Sequence, residues 1–169
     1  MLYAVLVLAL VGLDQLVKFL VRAYIPLGGD VPFLPHILQL TYVQNTGAAF
    51  SIFSQHTWIL TVVSLVVSVA LVVLLLKKVF PHPLAMLTLS LVLAGAVGNL
   101  IDRAVFGYVT DMFQTLFIHF AVFNVADICV VCGGIGFCVY YLFLHGREGG
   151  HGADSAEGLS LIHISAPPR

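Results

Sequence analysis

The chain has 169 residues, of which 60% are hydrophobic and only 9% charged, and its net charge is −1. A soluble domain carries roughly 25% charged residues, so this chain lacks the polar surface to cover itself in water and reads as a membrane protein. The near-zero charge gives a nucleic-acid partner no electrostatic support. Cys129, Cys132 and Cys138 all lie in one apolar stretch, which argues against a disulfide framework.

Four apolar stretches reach bilayer length, at about residues 2–21, 57–76, 84–101 and 128–144, each near the roughly 20 residues that a spanning helix needs. Asp14, Gln15 and Lys18 interrupt the first. It has no basic leader and no small-x-small site near its end, so a retained helix is expected rather than a cleaved signal peptide. Residues 23–56 contain no Lys or Arg, whereas Lys77 and Lys78 follow the second stretch and Arg147 follows the fourth. The positive-inside rule then puts Lys77, Lys78 and both termini in the cytoplasm and residues 23–56 outside. Arg103 runs against this bias, which points to a role other than topology.

The outer loop is patterned. Val31-Pro32-Phe33-Leu34-Pro35 and Leu38-Gln39-Leu40-Thr41-Tyr42-Val43 are strand-like, with Gly28-Gly29-Asp30 as a turn. A small extracytoplasmic β element is expected there, followed by a short interfacial helix over Ala48-Ala49-Phe50-Ser51-Ile52-Phe53. The predicted fold class is an all-α membrane protein of four transmembrane helices with this β-cradle and short helix. Residues 1–145 form the membrane domain. Residues 146–169 read as a disordered tail, and 159–169 do not read as its natural continuation.

Ionisable groups inside spans are costly, so each invites a functional reading. Asp14 and Lys18, at i and i+4, share a helix face. They fit either an internal ion pair or a support for the substrate region. Asn99, Asp102 and Arg103, at i, i+3 and i+4, also share a face. They fit a helix-end salt bridge between Asp102 and Arg103, or a polar cluster turned into the bundle. Asp111, after the third span, and Asp127, at the start of the fourth, both lie among apolar residues near the outer membrane edge. Asp127 alone also fits a helix N-cap. Two converging carboxyls cannot both ionise easily, so one keeps a proton while the other accepts one from water. That is the acid–base chemistry of aspartic proteases. Cys129-x-x-Cys132 has no second pair nearby, so no metal and no cofactor are expected. His119 reads as interfacial. A proton carrier would place its carboxylates near the midplane on broken helices, and a scaffold would leave the polar cluster unexplained.

Asn45-Thr46-Gly47-Ala48-Ala49-Phe50-Ser51, Gly98-Asn99-Leu100-Ile101-Asp102-Arg103, Val109-Thr110-Asp111-Met112-Phe113 and Phe123-Asn124-Val125-Ala126-Asp127 occur in that order. With Asp14 and Lys18, this set resembles the motifs of bacterial lipoprotein signal peptidase (signal peptidase II) over about residues 2–144. The resemblance implies a membrane aspartic endopeptidase that removes signal peptides from diacylglyceryl-modified prolipoproteins, cutting before the lipidated cysteine. It implies Asp111 and Asp127 as the catalytic dyad, with Asn99, Asp102, Arg103 and Asn124 in support and Asn45 and Gly47 near the substrate. Asp14 and Lys18 would be a structural pair. It also implies a monomer in the bacterial cytoplasmic membrane, in contact with lipid and open to globomycin-type peptides. Residues 112–126 are unusually apolar for the family, and nothing after Gly146 matches it.

Overall fold

The computed structural model describes residues 1–47 and 57–145. The expected helix at 48–53 and the expected disorder of the tail lie outside the described residues. Four helices are long and apolar enough to cross a membrane: α1 (Leu2–Tyr24), α2 (Thr57–Leu76), α3 (Pro83–Phe106) and α4 (Val125–Phe143). Three strands, β1 (Asp30–Leu34), β2 (Leu38–Asn45) and β3 (Val109–Thr115), form one antiparallel sheet in the order β1-β2-β3. The chain is thus a four-helix membrane protein with a small sheet.

Helix α3 is the hub of the bundle and packs on α1, α2 and α4. It is the most buried helix, because small residues let its neighbours approach. A Cβ at Gly95 would run into the carbonyl oxygen of Ala126 and the side chain of Val130, and one at Gly98 would meet the carboxylate of Asp14. Pro83 opens α3 behind the His82 cap, whose Nδ1 accepts the Leu84 N–H at 3.2 Å. Gly107 closes it in the left-handed region (φ 77) and turns the chain into β3. Elsewhere the outward side chains are apolar, for example Val62, Val66, Val69 and Val73 of α2. That is the surface expected against lipid, where no hydrophobic penalty attaches to exposure.

The two strands predicted in the outer loop are present as β1 and β2. The third strand was not expected from sequence, which left 107–113 as a segment at the membrane edge. Helix α3 also runs five residues past its expected end at 101, so Asn99, Asp102 and Arg103 lie within it. Helix α4 starts at Val125 rather than 128, because Asn124 caps it. The sheet seats on the end of α1 through a buried cluster of Val21, Ile25, Tyr42 and Met112. The C-terminal ends of α1 and α3, the N-terminal end of α4 and the sheet therefore share one side of the bundle, opposite Lys77 and Lys78.

Candidate active site

The site is built from the inside outward. Lys18 of α1 is fully buried, and an ammonium out of water must have all its donors used. Its Nζ lies 2.9 Å from Asp14 Oδ2 and 2.9 Å from Asn99 Oδ1, and 3.5 Å from both Asp102 Oδ2 and the Gly98 carbonyl oxygen. The ion pair expected at Asp14 and Lys18 is present, but it is the centre of a larger network.

Asp102 does not pair with Arg103, as the salt-bridge reading had it. Its carboxylate faces α1 and β3: it meets Lys18, lies 3.7 Å from Arg22 Nη1, and accepts from Gln15 Nε2 at 3.2 Å and from the Thr110 N–H at 2.8 Å. The reason is helical phase. One residue of rotation, about 100°, turns Arg103 away from α1 and toward α2, where its Nη1 donates to Ser64 Oγ at 3.4 Å. The guanidinium also lies in the field of Asp127, Asp111 and Asp102. Its Nε is buried without a hydrogen-bond partner among the described residues.

Three asparagines converge on Asp111 and Asp127, and in each the amide orientation is forced. Asn45 Oδ1 accepts the Gly47 N–H at 3.0 Å, so its NH2 faces Asp111 Oδ2 at 2.8 Å. Asn99 Oδ1 is taken by the Lys18 ammonium, so its NH2 faces Asp127 Oδ1 at 2.8 Å. Asn124 Oδ1 accepts the Asp127 N–H at 2.9 Å, so its NH2 reaches Asp111 Oδ1 at 2.6 Å and Asn99 Oδ1 at 3.2 Å. Asp127 Oδ2 accepts the Asn124 N–H at 3.1 Å. Each of the four carboxyl oxygens thus receives one N–H donor, which leaves other lone pairs for a proton or water. Asp127 is not the helix cap. It is the third helical residue of a capping box whose cap is Asn124.

Strand β3 explains how Asp111 arrives here. Val43 of β2 is directly opposite Asp111, and Asn45 is opposite Val109, so Asn45 and Asp111 are diagonal neighbours on one face. Burial pushes the Asp111 carboxyl up to about 6. The hydrogen bonds from Asn45 and Asn124 pull it down, while the neighbouring Asp127 raises it.

Asp111 and Asp127 both line a cavity of about 440 Å³, with Asn45, Gly47, Asn99 and Arg103. Its other wall is apolar, including Phe120, Phe123, Ile128, Val130 and Val131. Phe120, Ile128, Val130 and Val131 are also exposed on the outside of the molecule, so this wall is continuous with the apolar surface of α4. Asp14, Lys18, Asp102 and Asn124 do not line the cavity; they stand behind it. Among the described residues no three His, Cys, Asp or Glu side chains are grouped to hold a metal. Gln15, Arg22 and Thr110 belong to the network but were not singled out from sequence. Arg22 carried a usable signal, since it continues the Asp14–Lys18 face at i+4 and is a cation on the side where Lys and Arg are otherwise scarce.

A polytopic membrane protein with a buried and a half-buried carboxyl, Asp111 and Asp127, facing one largely apolar cavity is the class that fold and site define. Residues 6–143 match the model of the Signal peptidase (SPase) II family. The chain is 46% identical over 132 residues to a lipoprotein signal peptidase of Streptococcus pneumoniae, covering 78% of this chain and 86% of that one. It is 38% identical over 146 residues to one of Brevibacillus brevis, covering 86% and 97%. A solved structure described as a bacterial membrane enzyme superposes with a TM-score of 0.78 at 29% identity, covering 83% of this chain and 87% of that one. The chain belongs to the signal peptidase II family, and it is a membrane peptidase.

Proposed function

We propose that this peptidase removes signal peptides from diacylglyceryl-modified prolipoproteins, cutting before the lipidated cysteine, with Asp111 and Asp127 as its acid–base pair. The observation that carries this reading is the convergence of both carboxyls on one cavity whose opposite wall is apolar and continuous with the outer surface of α4. A lipid-modified substrate can reach such a cavity sideways from the bilayer, keeping its acyl chains in lipid.

In the reacting form Asp111 holds the proton, the direction in which burial moves its carboxyl, and Asp127 is the base. Water attacks the scissile carbonyl carbon and gives a proton to Asp127, while Asp111 gives its proton to the carbonyl oxygen. In the tetrahedral diol the Asp127 proton then passes to the amide nitrogen and a diol hydroxyl returns a proton to Asp111. The C–N bond breaks, and the pair is restored without a covalent enzyme intermediate. Asn45, Asn99 and Asn124 hold the two carboxyls at fixed positions. Arg103 presents a positive charge to the cavity, and Gly47 lines its mouth.

The side with Lys77 and Lys78 and both termini is assigned to the cytoplasm, and the site to the outer face of the bacterial cytoplasmic membrane. The enzyme acts as a monomer in contact with lipid, and globomycin-type peptides occupy the same cavity.

The test is a gel-shift cleavage assay on purified protein in detergent with a diacylglyceryl-modified prolipoprotein. Wild type is expected to cleave, and Asp111→Asn and Asp127→Asn to be inert while folded. Cleavage by all three would place the chemistry elsewhere.

A further inference from the structure

The backbone just ahead of each carboxyl of the proposed pair is held by an aspartate, and one ammonium joins the two aspartates. Asp14 Oδ1 accepts the N–H of Ala126 at 2.9 Å, and Ala126 immediately precedes Asp127. Asp102 Oδ2 accepts the N–H of Thr110 at 2.8 Å, and Thr110 immediately precedes Asp111. Between Asp14 and Asp102 sits the ammonium of Lys18, in contact with both. Its remaining strong contact is Asn99 Oδ1, and the other end of that amide meets Asp127.

We propose that Lys18 is a positioning residue for the reaction: it locks the Asn99 amide with its NH2 toward Asp127 and, through Asp14 and Asp102, fixes the backbone just ahead of both reacting carboxyls. This rests on the Asp111–Asp127 reading of the site. The argument is one of donors and acceptors. An ammonium can only donate. Turning the Asn99 amide over would set its NH2 against Lys18 and its carbonyl oxygen against the Asp127 carboxylate, two repulsions in a buried site. With Lys18 in place only one orientation survives. Asp127 Oδ1 therefore always receives a donor, Oδ2 is held by the Asn124 N–H, and a proton taken from water settles on a remaining lone pair. Without Lys18, the buried contact that opposes the flipped amide on its oxygen side is reduced to the 3.2 Å donor from Asn124, with the Asp127 carboxylate acting on the other end.

The test uses the full-length enzyme in detergent with a diacylglyceryl-modified prolipoprotein. The charge-balanced double variant Asp14→Asn/Lys18→Met keeps an acceptor for Ala126 and leaves Asp102 with Arg22, Gln15 and Thr110. It is expected to fold, to keep KM, to lose kcat roughly ten- to hundredfold, the scale of a hydrogen bond to a charged group, and to show a displaced pH–rate profile. Asn99→Leu breaks the same chain of contacts in the middle and leaves the Lys18 ion pairs intact; it should show the same loss and displacement, with a fall in melting temperature because Lys18 loses an acceptor. A merely structural Lys18 would instead lower melting temperature with kcat and profile unchanged. Should the double variant fail to fold, Asn99→Leu decides alone, and a wild-type kcat and profile there overturns the proposal. Asp111→Asn and Asp127→Asn run alongside. If they cleave at the wild-type rate, the underlying pair is wrong. If they are dead while Asn99→Leu is normal, only the role of Lys18 falls.

Discussion

Asn124 donates to Asp111 Oδ1 at 2.6 Å while its oxygen caps α4 by accepting the N–H of Asp127. One side chain thus ties the strand carrying the first carboxyl to the helix carrying the second. Capping and site geometry can be separated by substitution. Asn124→Ala should lose the cap, at a cost of about 1 kcal/mol, together with cleavage. Asn124→Ser keeps a capping oxygen but has no NH2 for Asp111, so its melting temperature should recover while cleavage does not. Equal recovery of both would show that the contact to Asp111 is dispensable.

The pH dependence follows from Asp111. Its pKa is raised from 3.8 to about 6 by burial, so the protonated form is the one favoured in the fold and the proton is lost as pH rises through that value. The proposed chemistry needs one proton on the pair. On the alkaline side kcat/KM should fall with a midpoint at about 6 or higher, well above the ordinary carboxylate range, and the limb in kcat should lie higher still because bound substrate displaces water. A profile whose alkaline limb follows an ordinary carboxylate near 4 would contradict the burial argument.

Asp102 and Arg103 are adjacent in sequence but do different things. Asp102→Ala leaves Lys18 and Arg22 short of a carboxylate and the Thr110 N–H without its acceptor. A loss of about 3–5 kcal/mol is expected, as for breaking a buried ion pair. Arg103→Ala removes a cavity-lining cation with one long contact to Ser64, so it should reduce cleavage with a much smaller change in melting temperature. Matched thermal melts of the two variants check this, and an equal loss of stability would restore the idea that they form a pair.

Gly95 controls the distance between α3 and α4. A larger residue would push on the Ala126 carbonyl and Val130, and Ala126 is next to Asp127. Gly95→Val should cost about 1–3 kcal/mol as overpacking and abolish cleavage. Gly134→Ala is the control, because a Cβ there meets nothing within 4 Å. Comparable damage from both would mean that helix contact at Gly95 is not what matters.

Asp127→Glu gives a separation of roles. Glutamate also serves at the third position of a capping box, so α4 should still start at Val125 and the melting temperature should hold. The carboxyl is displaced by one methylene, however, and cleavage should fall by orders of magnitude in the gel-shift assay.

What could be read from sequence divides along physical lines. The four spans were legible because hydropathy over about 20 residues is a local property. Asp111 and Asp127 were legible as candidates because a carboxylate among apolar residues stands out in any linear reading. Strand β3 was not, because its partner β2 lies far away in sequence, across two spans, and Val109-Thr110-Asp111-Met112 shows no clean alternation on its own. The Asp102–Arg103 pairing failed for a related reason: adjacency in sequence is divergence on a helix. Gln15 gains its meaning only when α1 is laid against α3, which no spacing within α1 reveals, whereas Arg22 follows Lys18 at i+4 on the same face. The forced amide orientations of Asn45, Asn99 and Asn124 belong to three separate elements and required the assembled site.

The capping box at the start of α4 has a consequence for the cost of catalysis. A free aspartate samples several rotamers, and a base that must be gathered into place adds that lost entropy to the barrier. Asp127 is instead fastened to the backbone of its own helix through the Asn124 N–H and to Asn99 through the other oxygen. Its torsional freedom is surrendered during folding, when the helix forms, and not at each turnover. On the proposed mechanism, substrate meets a base that is already aimed, and the binding energy of a lipid-bearing chain is left for placing the peptide bond.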